Sequence, residues 1–283
     1  MGNIIDGKGI AQDIRKELKE EAKILTDKGR AAGLAVILVG NNPASQSYVK
    51  MKERDAEEIG IYSDMYYMDE DIEQEELSNL INELNQNKKI DGILVQLPLP
   101  DHLNTNQVIE EISPEKDVDG FHPVNTGRLF SNQKENLRFE ACTPIGIIEL
   151  IERHIDIDGK KAVIVGRSNI VGKPIAHLLL QKHATVTICH SHTKDLKKET
   201  LQGDILVAAA GYPELIKGDM VKEGATVIDV GINRVDGELT GDVDFEEAKK
   251  RAEYITPVPG GVGPMTRAML MKNVIKARKH HGI

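Results

Sequence analysis

The chain has 283 residues, of which 40% are hydrophobic and 29% charged, a composition typical of a globular protein with one large or two ordinary domains. Its net charge of −9 argues against a non-specific nucleic-acid binder, because there is no excess of Lys and Arg to displace counterions. No run approaches the roughly 20 apolar residues of a membrane span, and two cysteines without a secretory signal favour a reducing cytoplasm.

Short runs rich in Val, Ile and Leu alternate with longer amphipathic ones, which predicts an α/β fold with parallel sheets. Apolar residues first recur at helical spacing from Ile10 to Leu25, before Gly29. The predicted elements then continue as a strand over 34–40, a helix over 43–59, a strand over 62–67, a charged helix and a strand over 92–97.

From about residue 113 to 141 the periodicity fades, which we interpret as a crossing between two domains. Thr143 and Pro144 then predict an N-cap and a first helical position. Strands separated by helices are predicted at 162–166, 185–189, 204–209 and 226–230, and a last helix begins at about 266. We therefore expect one domain over 1–120, with the helix 266–283 packed on it, and a Rossmann-type domain over 141–265.

A nucleotide site is indicated where the strand ending at Gly166 runs into a polar loop and Gly172 opens a helix. This arrangement aims backbone N–H groups and a helix N-terminus at a phosphate. The loop is not GxGxxG, since Arg167 separates Gly166 from Ser168. An ordinary tight turn remains the alternative.

The tip of the next strand favours NADP over NAD. NAD enzymes commonly place an acid there for the ribose 2′-hydroxyl, but this strand runs into His190-Ser191-His192-Thr193. Arg167 and Ser191 would instead hold a 2′-phosphate. Asp195 lies close enough along the chain to keep NAD open.

The helix over 43–59 carries a lysine on the face expected to point inward. Ala44, Tyr48, Lys52, Ala56 and Ile59 fall on one stripe. Burial would lower the pKa of Lys52 towards the range useful for proton transfer. A lysine that snorkels at the helix edge is the alternative.

Three further segments have the character of a binding site. Gln96 ends an apolar strand just before Pro98, where ligands of parallel sheets bind. Asp117 and Asp119 flank a valine, so that one would cap a turn and the other face a pocket. The segment 256–264 is rich in Gly and Pro, has little side chain to bury and exposes its backbone, as in a flexible loop or a site of close ligand approach.

Together these segments resemble the bifunctional methylene-tetrahydrofolate dehydrogenase/methenyl-tetrahydrofolate cyclohydrolase family. The resemblance rests on six segments in the family's order, namely PASQSYVKMK (43–52), DGILVQLPLP (91–100), PEKDVDGFHP (114–123), VGRSNIVGKP (165–174), DVGINR (229–234) and PGGVGPMT (259–266). It implies two α/β domains with the active site in the cleft between them, a cytoplasmic homodimer, and a place in the one-carbon metabolism that serves purine, methionine and histidine biosynthesis.

The resemblance also implies residue roles. Lys52 would handle protons, with Tyr48 shaping the site and Gln96 adjusting the lysine, while Asp119 would grip the pterin ring. The remaining matches to tetrahydrofolate-binding positions are Val95, Leu97, Pro259, Gly260, Gly261, Val262 and Gly263. The matches to NADP-binding positions are Gly166, Arg167, Ser168, Ser191 and Ile232. No metal site is implied.

The sequence shows one departure from the family and leaves two rival functions to weigh, an oxidoreductase of another kind and a nucleotide sensor. Arg267 stands where the family has an aliphatic residue, and it would either meet the glutamate tail of folate or point to solvent. The rival is an NADP oxidoreductase similar to shikimate or amino-acid dehydrogenases, which would share the two-domain plan but lack the Tyr48/Lys52 helix beside Gln96. A non-catalytic nucleotide sensor would have no need for an inward lysine.

Overall fold

A computed structural model describes residues 1–133 and 139–282. The helices are α1 (Gly7–Asp27), α2 (Pro43–Ile59), α3 (Gln74–Gln86), α4 (Thr105–Glu111), α5 (Pro123–Phe130), α6 (Cys142–Glu152), α7 (Gly172–Gln181), α8 (Leu196–Thr200), α9 (Phe245–Lys249) and α10 (Val262–His280). The strands are β1 (Asn3–Ile4), β2 (Gly33–Val39), β3 (Tyr62–Met68), β4 (Gly92–Val95), β5 (Lys161–Val165), β6 (Thr185–Cys189), β7 (Ile205–Ala208), β8 (Thr226–Asp229), β9 (Asn233–Val235), β10 (Glu238–Thr240) and β11 (Tyr254–Ile255). None of the helices in this part of the chain combines the length and apolar character that a bilayer crossing needs.

The chain forms two compact units. Unit 1 comprises Met1–Gln12 and Thr143–Thr266, and unit 2 comprises Asp13–Cys142 and Arg267–Ile283. The first twelve residues, which we had expected to lie with residues up to 120, belong to unit 1 because β1 pairs in parallel with β11. Ile283 of the expected helix 266–283, and residues 134–138 of the expected crossing, lie outside the described residues.

Unit 2 is built on a three-stranded parallel sheet in the order β3-β2-β4. Every residue of β2 is buried, as expected for the central strand of a covered parallel sheet. An apolar cluster that includes Ile37, Leu77, Ile81 and Val108 lies between this sheet and helices α3 and α4. The register pairs Ile37 with Val95, so β4 ends opposite Ile37, two residues before β2 ends, and the residue after Val95 emerges at the carboxyl edge of the sheet.

Unit 1 contains a six-stranded sheet in the order β1-β11-β8-β7-β5-β6, with every pairing parallel. From β5 the chain passes to β6 on one side and then returns to β7 on the other. The strand order therefore reverses between β5 and β7, and the crevice beyond the carboxyl ends of these strands is where doubly wound sheets bind ligands. A separate hairpin of β9 and β10 follows β8.

The structure corrects four expected elements. Between β7 and β8 it has only a single 3₁₀ turn at Gly218–Met220, because Gly211, Pro213 and Gly224 interrupt any longer helix. The stretch over 113–141 contains α5, which begins after His122, whose ring nitrogen accepts the N–H of Val124.

The other two corrections concern helix starts. Helix α6 starts at Cys142, so Thr143 lies inside the first turn and is not its N-cap. Its hydroxyl lies 2.9 Å from the hydroxyl of Thr266. Helix α10 starts at Val262, four residues before the expected Thr266, and the buried side chain of Val262 provides a core contact at its start.

Candidate functional site

Helix α2 positions the inward lysine. The Asn42 side chain accepts the N–H groups of Ala44 and Ser45, and Pro43 occupies the first helical position, so both ends of the predicted helix are confirmed. Of the predicted stripe, Lys52, Ala56 and Ile59 are buried and Tyr48 is half-buried. Ala44 is exposed, because it lies in the first turn beyond the edge of the core.

Lys52 is held by a glutamine from the neighbouring strand end. Lys52 is 8% exposed, and its Nζ donates a hydrogen bond to Oε1 of Gln96 at 2.9 Å. The Gln96 amide nitrogen donates to the carbonyl of Leu97 at 2.7 Å, which fixes the amide so that its oxygen faces the lysine. Burial lowers the pKa of Lys52, while the nearby charge of Asp119 opposes that shift. The snorkelling alternative is therefore wrong.

The two aspartates of the DVD segment have different surroundings. Asp117 accepts the backbone N–H groups of Gly120, Phe121 and His122, together with the side-chain amide of Asn125, and so caps a turn. The turn leaves Asp119 near Lys52, and the lysine charge partly opposes the rise in pKa that burial causes at Asp119. The expected turn cap is therefore Asp117, and a pocket-facing role for Asp119 stays a prediction.

The residues beside Gln96 are partly committed to the core. Val95 is buried in the cluster between the sheet and helices α3 and α4, and Leu97 packs against that cluster. The backbone N–H of Gln96 continues the pairing with the carbonyl of Ile37 at 2.9 Å, one residue beyond β4. The side chains of Val95 and Leu97 thus support this strand end, and the side chain of Gln96 is directed to Lys52.

Of the two surroundings expected for Arg267, open solvent is wrong, and contact with the glutamate tail of folate stays a prediction. Nη1 of Arg267 lies 3.1 Å from Oδ2 of Asp55, and the two side chains are 16% and 9% exposed. It therefore meets an acid of its own chain, not open solvent. Sequence reasoning missed Asp55 as its partner, although an acid three residues after Lys52 on the inward face of α2 was a usable signal.

In unit 1, two glycines shape the loop after β5. Gly166 has φ of 133°, and a Cβ there would lie 2.1 Å from the carbonyl oxygen of Ala209, which follows β7. A Cβ at Gly172 would lie 2.3 Å from the carbonyl oxygen of Gly166. Any side chain at either position would collide with backbone, so the loop presents main chain to the start of α7. This loop lies at the crevice between β5 and β7.

The loop residues after β5 and β6 lie side by side. The register pairs Val165 with Cys189, so the exposed residues Arg167 and Ser191 each follow two positions later on adjacent strands. The Ser168 hydroxyl accepts the N–H groups of Val171 and Gly172 and so holds the loop closed. The Asp195 carboxylate accepts the N–H of Lys198 and so caps α8. This is the acid that could have bound the ribose 2′-hydroxyl of NAD, and its carboxylate is used by the cap.

The remaining matched positions of unit 1 lie after β11 and β8. Pro259, Gly260 and Gly261 connect β11 to α10, whereas Val262 and Gly263 belong to the first turn of that helix. The expectation of a loop throughout 256–264 is therefore wrong at its end, and Thr256 and Val262 are buried. Ile232, just after β8, is 50% exposed.

Among residues 1–133 and 139–282, no three His, Cys, Asp or Glu side chains converge in a way that could hold a metal ion. His190 and His192 lie with their ring centroids 5.9 Å apart, and the ring of His190 accepts the backbone N–H of His192, so this pair closes a turn.

Comparison with known proteins agrees with this arrangement. Residues 5–119 match the family model "Tetrahydrofolate dehydrogenase/cyclohydrolase, catalytic domain", and residues 141–282 match the corresponding NAD(P)-binding domain. The bifunctional protein FolD of Halothermothrix orenii is 68% identical over 100% of both chains. A FolD structure from Campylobacter jejuni has a TM-score of 0.96 at 52% identity, covering 99% of both chains.

A second solved structure carries a ligand. The Trypanosoma brucei FolD, complexed with NADP cofactor and inhibitor, has a TM-score of 0.94 at 41% identity and covers 99% of this chain and 98% of its own. The two family models together span most of the sequence, and the relatives extend over its whole length. The chain belongs to the tetrahydrofolate dehydrogenase/cyclohydrolase family.

Proposed function

We propose that the chain oxidises 5,10-methylenetetrahydrofolate to 5,10-methenyltetrahydrofolate with NADP and hydrolyses the product to 10-formyltetrahydrofolate, as an enzyme of one-carbon metabolism. The observation that carries the hydrolytic part is the buried amine of Lys52, oriented by Gln96 at 2.9 Å. A buried amine with a lowered pKa can be uncharged near neutral pH and accept a proton. Family membership sets aside the shikimate- or amino-acid-dehydrogenase-like alternative and the nucleotide sensor.

Hydrolysis needs three proton transfers, two of which pass through the amine of Lys52. Water adds to the carbon between N5 and N10, and the uncharged amine of Lys52 takes a proton from that water. The bond from this carbon to N5 then breaks with its electron pair going to N5, which receives the proton from the Lys52 ammonium. The hydroxyl of the adduct releases its proton to solvent and becomes the formyl oxygen. The net reaction consumes one water and releases one proton.

The substrate is held, in this proposal, by residues around Lys52. Asp119 accepts N–H groups at the edge of the pterin. A carboxylate suits this role, and the turn is capped by Asp117 instead of Asp119. Tyr48, one turn before Lys52 on α2, shapes the site. Gln96 and the backbone of Val95 and Leu97 complete the folate contacts of unit 2, and we assign the backbone of Pro259–Gly263 in unit 1 to folate as well.

The residues of unit 1 fit NADP. The backbone cradle at Gly166 and Gly172, which a Cβ would fill, leaves room for a phosphate at the start of α7. The adjacent Arg167 and Ser191 suit a 2′-phosphate, with Ser168 bracing the loop and Ile232 offering an apolar surface. When bound, NADP accepts a hydride from the one-carbon bridge. The protein's part in that step is to bind and orient the bridge, since no proton moves.

One assay tests both activities together. The purified protein is supplied with methylenetetrahydrofolate and either NADP or NAD, and NADPH or NADH is followed with the methenyl and formyl products. The proposal predicts a higher kcat/KM with NADP and accumulation of the formyl product faster than spontaneous hydrolysis allows. NADPH formation without accelerated hydrolysis would contradict the bifunctional assignment, and faster reduction of NAD would contradict the cofactor assignment.

The biological setting is proposed on the resemblance alone. We infer a cytoplasmic homodimer that acts on tetrahydrofolate derivatives and engages neither nucleic acid nor membrane. Light scattering on the purified protein tests the homodimer, and a mass equal to one chain of 31.2 kDa would contradict it.

A further inference from the structure

An ion pair lies on the same helix face as the proposed catalytic lysine. Asp55 follows Lys52 by three positions and Tyr48 by seven, so the three side chains occupy one side of α2. Its carboxylate meets Arg267 of α10, with 3.1 Å between Oδ2 and Nη1. The pair is almost fully buried, and buried ion pairs cost desolvation that apolar residues of similar size would avoid. The burial of the Asp55–Arg267 pair therefore points to a role other than stability.

Two cations converge on this one acid. Nε of Arg15 on α1 lies 3.9 Å from Oδ1 of Asp55 and 3.3 Å from Oε2 of the half-exposed Glu58. Burial raises the pKa of Asp55, Arg267 and Arg15 oppose this rise, and Glu58 adds to it. With Glu58 already facing Arg15, Asp55 supplies a buried counter-charge for Arg267 and fixes where the guanidinium lies.

Among the residues that the structure describes, four groups act on the Lys52 amine. They are Gln96, which is hydrogen-bonded to it, Asp119, Cys142 and Arg267. Burial lowers the pKa of Lys52 most, Asp119 acts to raise it, and Arg267 adds to the lowering. Cys142 would raise it only as a thiolate, and burial keeps Cys142 a thiol because it raises the pKa of this group well above the ordinary value. Among these groups, Arg267 is the cation that opposes a charged lysine.

The same guanidinium also acts on Tyr48. Burial raises the pKa of the Tyr48 phenol, and Arg267 lowers it. The tyrosine and the lysine therefore both experience Arg267, which belongs to a different helix. A cation held in place at this point affects two of the three proposed catalytic side chains.

We propose that Arg267, anchored on Asp55, is a positioning residue for the hydrolytic step, a fixed cation that favours the uncharged amine of Lys52. The inference rests on the proposed function, in which Lys52 must accept a proton from water. Arg267 acts through Lys52 and need not touch the folate. Its charge biases Lys52 towards the form that water attack requires.

The direct test measures the amine itself, without substrate. The reactivity of Lys52 towards an acylating reagent is followed across pH by peptide mass spectrometry, in the parent and in Arg267→Leu, Arg267→Lys and Asp55→Asn. Loss of the cation in Arg267→Leu should move the midpoint of reactivity to higher pH, by on the order of one unit. Arg267→Lys should stay near the parent. Asp55→Asn is nearly isosteric but removes the counter-charge that offsets Arg267, so the midpoint should move to lower pH.

A merely structural role of Arg267 would not move the Lys52 midpoint in opposite directions in Arg267→Leu and Asp55→Asn. Loosening of the site would move Arg267→Leu and Asp55→Asn in the same direction or change only the amplitude, and either result would overturn the inference. If a single variant fails to fold, the double variant Asp55→Ala/Arg267→Leu removes both charges together. Its midpoint should still rise above that of the parent, and an unchanged midpoint would overturn the inference too.

A second readout separates this inference from the proposed function. In Arg267→Leu the acid limb of the hydrolysis pH profile should move upwards with the amine midpoint, while the dehydrogenase profile keeps its position. If Lys52→Ala retains full hydrolysis, the proposed function fails, whatever the labelling shows. If Lys52→Ala abolishes hydrolysis but Arg267→Leu leaves the amine midpoint unmoved, only the role of Arg267 fails.

Discussion

Gln96 accepts a hydrogen bond from the amine of Lys52 at 2.9 Å, although the two residues come from a strand end and a helix 44 positions apart. The contact depends on the parallel pairing of β2 with β4, which brings the end of β4 to the same edge as the residues that lead into α2. It also depends on the cap at Asn42, which sets where α2 begins. The hydrogen bond restricts the amine to one place while burial lowers its pKa.

Replacing this acceptor by an acid should shift the pH dependence of hydrolysis. Gln96→Glu puts a carboxylate beside the amine, which favours the ammonium and raises the pKa of Lys52 by about one unit or more. Because the uncharged amine is the active form, the acid limb of the pH–rate profile should move to higher pH. Gln86→Glu, on the exposed end of α3, is the matched control and should leave the profile in place. A Gln96→Glu profile that overlays the parent would contradict the assigned contact.

Replacing the two aspartates of the DVD segment should have different effects, on folate binding for Asp119 and on stability for Asp117. Asp119→Ala should weaken folate binding by about tenfold or more, the worth of charge-assisted hydrogen bonds, with little change in thermal stability. Asp117→Ala leaves buried backbone N–H groups without their acceptor and should lower the free energy of unfolding by roughly 2–4 kcal/mol. Fluorescence titration with a folate and thermal melting of both variants provide the comparison. Folate affinity lost only in the Asp117 variant would show that the roles are reversed.

Cofactor preference should depend on the cation after β5. Arg167→Ala should lower kcat/KM for NADP by about tenfold or more and leave that for NAD nearly unchanged, since only NADP carries the 2′-phosphate. Lys182→Ala removes a cation paired with Glu152 at the other end of α7 and serves as the control. Equal losses with both cofactors in the Arg167 variant would argue against a 2′-phosphate contact.

Much of this arrangement follows from local sequence signals. Helix α2 could be predicted because its cap, its first-turn proline and its apolar spacing all lie within the segment itself. The strands β2 to β8 could be predicted for the same reason, as short Val- and Ile-rich runs between turn residues, whereas the two- and three-residue strands β1, β9, β10 and β11 are too short to give such a signal. The start of α10 was placed four residues late because Gly and Pro at 259–264 suggest a loop, whereas burial of Val262 outweighs that local preference.

The charge contacts were harder to predict because they join distant segments. Arg267 is conspicuous in the sequence, but nothing near it along the chain identifies Asp55 as its partner. Asp55 looks like one more acid on a charged helix until the turn geometry places it on the inward face. The two glycines at 166 and 172 likewise gain their meaning only from the backbone of Ala209 and of the loop itself.

A second buried ion pair should matter for stability instead of chemistry. Asp91 is fully buried and accepts two bonds from Arg30, at 2.6 and 2.8 Å, and one from the backbone of Gly33 at 2.9 Å. Burial acts to raise the pKa of Asp91, but these bonds and one with His281 outweigh it, so its pKa lies below the ordinary value. The pair therefore stabilises the fold above the unfolded pKa of about 4, and the contribution is lost as pH falls through the lower folded value.

Breaking that pair should be costly at neutral pH. Arg30→Met should lower the free energy of unfolding at pH 7 by roughly 2–3 kcal/mol, somewhat less than for a fully buried pair because the Arg30 side chain is 33% exposed. The deficit should shrink when denaturant unfolding is repeated near pH 3. Lys16→Met breaks an exposed pair with Asp13 and should cost no more than about 0.5 kcal/mol. A deficit that is constant from pH 7 to pH 3 would show that lost apolar contact, not charge, is responsible.

The central claim is that the amine of Lys52 carries the proton of the hydrolytic step, and the rate of methenyltetrahydrofolate hydrolysis by Lys52→Met tests it most directly. Methionine keeps the length and burial of the side chain but has no proton to exchange. Once spontaneous hydrolysis is subtracted, the rate should fall by at least about a hundredfold, the usual worth of a general base, while folate still binds. A Lys52→Met variant that binds folate and hydrolyses methenyltetrahydrofolate within about twofold of the parent rate would contradict this role of Lys52.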